Sequence, residues 1–109
     1  MPKLIVISGP ANSGKLAKAW EIAAADPELR FLHRDQVRVL FGRLIDESHL
    51  THVIRSVAIT LLESGYGVVT AAQNLSPTDF DMWNDVAKTT GSQFEWVSTL
   101  APAVKERKQ

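Results

Sequence analysis

The segment KLIVIS, Lys3 to Ser8, holds four consecutive apolar residues and stops at Gly9. A strand that is apolar on both faces must be covered on both faces, as in the interior of a parallel sheet. Gly9, Gly14 and Lys15 follow at the spacing G-x-x-x-x-G-K. Ser13 to Ala25 then places Leu16, Ala19, Trp20 and Ala23 at helical spacing in an alanine-rich stretch. A buried strand, a glycine-rich turn and a helix begin a β-α-β unit, so the chain needs further parallel strands and helices on both sides of them.

The remaining segments supply these. Asp26-Pro27 ends the first helix, because a residue before proline disfavours the α region. RFLHR, Arg30 to Arg34, is a short strand. Asp35 then caps a helix running through Val37, Leu40 and Phe41 towards Gly42. A long helix covers Thr51 to Ser64, with Val53, Val57, Leu61 and Leu62 on its apolar side, and Gly65 stops it. GVVTAA, Gly67 to Ala72, is the next buried strand. Ser76 is an N-cap, Pro77 suits the first helical position, and Asp79 completes a capping box or meets the helix dipole. That helix carries Phe80, Trp83, Val86 and Ala87 and ends at Gly91. FEWVSTL, Phe94 to Leu100, is a last strand of alternating character. The order β-α-β-α-β-α-β predicts an α/β fold with a parallel sheet, and right-handed crossovers restrict its topology.

The chain has 109 residues, enough for one small domain over residues 1–100 with a charged tail at 101–109. Hydrophobic residues make up 45%, which excludes disorder. Lys plus Arg is 12 and Asp plus Glu is 12, and this neutrality counts against a nucleic-acid partner. Without cysteine there are no disulfides and no thiolate metal sites. No apolar run is long enough for a signal peptide or a membrane span, so the expectation is a cytoplasmic protein with no membrane contact.

The context of strand, G-x-x-x-x-G-K and helix makes Gly9 to Lys15 a phosphate-binding loop. Gly9, Asn12, Ser13, Gly14, Lys15 and Leu16 are the candidate nucleotide-binding residues, with ATP or another nucleotide as ligand. Backbone N–H groups meet phosphate oxygens, the helix dipole adds positive potential, and Lys15 reaches the β- and γ-phosphates. The competing reading is a glycine-rich turn with a surface lysine. Position 16 normally supplies a Ser or Thr hydroxyl to magnesium. Leu16 supplies no oxygen, so no metal site is expected.

With HRDQVR, His33 to Arg38, and QNLSPTDFDMWNDVAKTTG added, the sequence resembles the 5′-polynucleotide kinase family of P-loop phosphotransferases, including its phage-encoded members. GPANSGK is similar to that family's G-x-P-G-S-G-K-S/T, HRDQVR to N-R-D-D-x-R, and QNLSP to T-N-L-N-P. The resemblance implies that Asp35 is the general base taking the acceptor hydroxyl's proton, and that Arg38 lies on the acceptor-phosphate side. A helix cap at Asp35 and a solvated face at Arg38 are the alternatives. The resemblance also implies a P-loop kinase-like three-layer fold, here with a small parallel sheet of about four strands in the order 2-3-1-4.

The departures from that pattern concern the chemistry. Ala71, Ala72, Gln73 and Asn74 stand where the family carries an aspartate at the strand end. Asp79, Phe80 and Asp81 stand where it carries early helix arginines. The family's lid arginine would follow near Gln109, and Arg107 is the only late arginine. A missing hydroxyl, carboxylate and lid arginine each remove transition-state stabilisation from phosphoryl transfer.

The expectation is therefore a degenerate kinase-like protein that acts mainly by binding a protein partner, with residual nucleotide binding. A phage protein acting on a host factor is one example. The alternative is a working ATP-dependent polynucleotide 5′-kinase with an atypical loop. An open strand edge and a half-covered sheet face predict a homodimer or partner complex through Phe94–Leu100 and the tail, with Trp96 near the exposed face. Trp20, Trp83 and Trp96 are read as packing residues. His49 and His52 are read as surface residues, while His33 stands near the acceptor side.

Overall fold

The computed structural model describes residues 2–9, 14–41, 46–72 and 77–99. The elements run β1 (Lys3–Ser8), α1 (Lys15–Ala25), β2 (Leu29–Leu32), α2 (Arg34–Leu40), α3 (Glu47–Glu63), β3 (Gly67–Ala72), α4 (Pro77–Thr90) and β4 (Gln93–Ser98). The strands form one parallel sheet in the order β2-β3-β1-β4, the order expected from the sequence.

Alternation along the strands divides the core. Leu4 and Val6 of β1, Leu32 of β2, and Val68 and Ala72 of β3 face the larger cluster. There they meet Val37 of α2, Leu50, Ile54, Ala58 and Leu62 of α3, and Trp83, Val86 and Ala87 of α4. Ile5, Ile7, Leu29 and Val69 face the other side, where Ala19 of α1 covers them with partly buried Ile22 and Ala23. β1 has neighbours on both sides and a helical layer over each face, which is why its apolar run is unbroken.

Several local readings need correction. β2 begins at Leu29 and ends at Leu32, earlier than Arg30 to Arg34. A tight turn delivers it: the Asp26 carboxylate accepts from the Glu28 N–H at 2.9 Å, and the Asp26 carbonyl from the Leu29 N–H at 3.0 Å. The strand stops because the His33 N–H donates to Gln36 Oε1 at 3.0 Å instead of continuing the ladder. His33 therefore holds the N-cap position of α2, and Asp35 lies within the first turn. α3 starts at Glu47, after Asp46, so its buried row is Leu50, Ile54, Ala58 and Leu62. Val53, Val57 and Leu61 flank that row.

Trp20 is 62% exposed, with its edge against Phe31 at 5.5 Å between centroids, and is not a core residue. Trp96 packs on the α4 side, 5.1 Å from Phe80, and not on the α1 side. Gly65 ends α3 as expected. Its φ of 97° lets Tyr66 N–H reach the Leu61 carbonyl at 3.0 Å and its own N–H reach Leu62 at 3.1 Å. Pro77 opens α4, while its proposed cap Ser76 lies outside the described residues, as do Gly42, Leu100 and the tail 101–109. No helix among the described residues is long and apolar enough to cross a membrane.

Candidate functional site

The chain leaves β1 for β2 in one direction along the sheet and reaches β4 in the other. Open α/β sheets bind ligands at the carboxyl ends of their strands where such a reversal occurs. A cavity of about 460 Å³ lies there. Its walls come from the end of β3, from His33 just after β2, and from the N-terminal parts of α1, α2, α3 and α4. Helix N-termini carry unpaired N–H groups and partial positive charge, so their convergence favours an anion.

The loop side is built by Gly9, Gly14, Lys15 and Leu16. The Gly9 N–H donates to the Ala72 carbonyl at 3.3 Å, tying the end of β1 to the end of β3. Gly14 occupies the N-cap position of α1 at φ 85°, ψ 11°. No atom of the described residues would obstruct a Cβ there, and the positive φ is what selects glycine. Its carbonyl accepts from Lys18 N–H at 2.9 Å and starts the helix. Lacking a side chain, Gly14 accepts nothing from the first-turn N–H groups, which suits an anion. Lys15 and Leu16 both line the cavity, and Leu16 is 44% exposed. Asn12 and Ser13 lie outside the described residues.

Asp35 and Arg38 line the same cavity as Lys15. One turn of α2 separates them, and Arg38 Nη1 donates to Asp35 Oδ1 at 3.1 Å. The other carboxylate oxygen lies 3.4 Å from His33 Nε2. The His33 ring stacks on Phe31, with centroids 5.9 Å apart. Asp35 thus sits between the Arg38 guanidinium and the His33 ring at the rim of the cavity.

Sequence reasoning missed the opposite wall. Glu47 pairs with Arg38 and lies 3.7 Å from Arg34, and Arg34 Nη2 donates to Thr51 Oγ1 at 2.7 Å. Asp79, read as a capping acid, also faces the cavity. The one available signal was the arginine pair at i and i+4 in RDQVR, which places both on one helix face.

The remaining wall is apolar: Leu16, Ile54, Ala71, Ala72, Met82 and Trp83. Leu16 and Ala72 fall where a phosphate loop and its strand-end acid would give oxygen to magnesium. Neither side chain has any. Among the described residues, no group of three or more His, Asp and Glu side chains could hold a metal ion. These residues do not fit a magnesium site of the kind a phosphate loop supplies.

A component of the Pnkp1/Rnl/Hen1 complex superimposes with a TM-score of 0.79 at 19% identity, covering 90% of this chain and 35% of that one. The Mycobacterium tuberculosis APS kinase CysC, in a mutant form, gives 0.75 at 20% identity, covering 90% and 75%. The same kinase in complex with AMPPNP and APS gives 0.72 at 18%, covering 90% and 62%. The chain has a P-loop kinase fold. It spans about a third of the Pnkp1/Rnl/Hen1 component. No protein-family model matches the chain, and no curated protein matches it in sequence. Within this kinase fold, the described cavity lies beside the turn that carries Gly14 and Lys15.

Proposed function

We propose that this protein is a degenerate kinase-like binder. It uses a P-loop kinase fold to hold a nucleotide or other phosphate at Gly14 and Lys15, and it does not transfer the phosphoryl group efficiently. One observation carries this reading: Lys15, Asp35 and Arg38 face the same cavity as Leu16 and Ala72. The cations that attract an anion, Lys15 and Arg38, are kept, and the positions that would hold its metal are apolar. Phosphoryl transfer depends mostly on positioning and charge neutralisation, so losing the metal's oxygens weakens transfer more than binding. The APS kinase complex with AMPPNP and APS supports a nucleotide as the ligand class for this fold.

The working polynucleotide 5′-kinase is the second reading, favoured by the Asp35 carboxylate in the same cavity as Lys15. Transfer of labelled γ-phosphate from ATP to a 5′-hydroxyl oligonucleotide, with magnesium present, separates the two. The expected result is no product above the protein-free background. Repeated turnover establishes the kinase.

The proposal includes contact with a second copy or a partner protein through Phe94–Leu100 and the tail. β4 supports it, as an outer strand of the sheet among the described residues. Sedimentation of the full chain reads the homodimer form directly, and a monomer at high concentration removes it.

A further inference from the structure

Glu47 is an acid in the wall of the anion cavity, and it lies against both of that cavity's arginines. Its two carboxylate oxygens go to different guanidinium groups. Oε2 pairs with Arg38, and Oε1 faces Arg34 Nη1 at 3.7 Å. Two guanidinium groups converging on separate oxygens of one anion is how proteins hold a phosphate or carboxylate ligand.

The two sides of this contact are unequal. The side chains of Arg34 and Arg38 are 35% and 32% exposed, while that of Glu47 is 66% exposed. Thr51 holds Arg34 through its hydroxyl, and Asp35, one turn before Arg38 on the same helix and itself exposed, holds Arg38. Glu47 reaches them from the solvent side, from the first residue of α3. The fit is also incomplete. Arg34 Nη1 is buried and, among the described residues, has no hydrogen-bond acceptor, since 3.7 Å is too long for one. A buried N–H without an acceptor is costly. A phosphate has more oxygens and more charge than a carboxylate and can satisfy it.

We propose that Glu47 is a built-in competitor for an arginine subsite formed by Arg34 and Arg38, which takes the dianionic end of a phosphomonoester. This rests on the reading of the cavity as an anion site. Ligand phosphate displaces Glu47, and the exposed glutamate sets the affinity of the subsite.

Inorganic phosphate titrated into the ¹⁵N-labelled full chain tests this. The Nε–H signals of Arg34 and Arg38 report the subsite, and the Lys15 amide reports the loop. In Glu47→Gln the arginine signals should saturate at about fivefold lower phosphate, which is the ~1 kcal/mol upper end for an exposed ion pair expressed as a ratio. Glu47→Ala should shift them the same way. Adding Arg38→Ala should abolish the gain, and the Lys15 curve should stay put. Equal midpoints in parent and variants overturn the competitor role. A response at Lys15 alone overturns it while leaving the anion site intact, and no response at either place removes both.

Discussion

Trp83→Ala is expected to lower the unfolding free energy by about 3–5 kcal/mol, in the range for truncating a buried aromatic residue. Trp83 is 5% exposed and packs in the larger core cluster, while it also lines the cavity. Removing it leaves a void between α4, α3 and the sheet that the neighbours cannot close without moving the cavity wall. A domain of this size has about 5–15 kcal/mol of stability in all, so the variant should be marginal. The comparison is Trp20→Ala. That ring is 62% exposed and makes an edge contact with Phe31, worth about 0.5–1.5 kcal/mol. Urea unfolding of both variants reads the difference through the midpoint at unchanged slope. Similar losses for the two tryptophans would contradict the assignment of Trp83 as the pillar between core and cavity.

Lys15→Ala is expected to weaken ATP binding by about 10- to 100-fold. That corresponds to losing a charge-assisted hydrogen bond of about 1.5–3 kcal/mol. Lys15 is the first residue of α1 and lines the cavity beside Gly14, so its ammonium and the helix N-terminus act on the same anion. Calorimetric titration of parent and variant measures it. A variant that binds ATP as tightly as the parent would place the nucleotide elsewhere on the molecule.

The sheet was readable because its information is local. The apolar runs of β1 and β3 mark interior strands, while the strand order was what the resemblance to the kinase family implied. Gly14 and Lys15 were readable for the same reason, since a phosphate loop is contiguous in sequence. The errors lie where side-chain hydrogen bonds set a boundary. Asp26 starts β2 early, and Gln36 moves the cap of α2 from Asp35 to His33. Trp20 shows the limit of helical periodicity. It shares spacing with Ala19 and Ala23, but only the alanines fit against β1 and β3, and the indole is left outside. The far wall of the cavity was not readable. Glu47, Thr51 and Met82 come from helices distant in sequence from the loop, and only the fold brings them to Arg34, Arg38 and Leu16.

In the proposed function the site keeps an affinity for an anion but lacks the residues that employ magnesium. Titration calorimetry of the full chain with ATP tests it most directly, run once with magnesium and once with a chelator. Weak binding of equal affinity is expected in both, with no heat from turnover. Tight binding that appears only with magnesium, followed by continuous heat from ATP consumption, would contradict it.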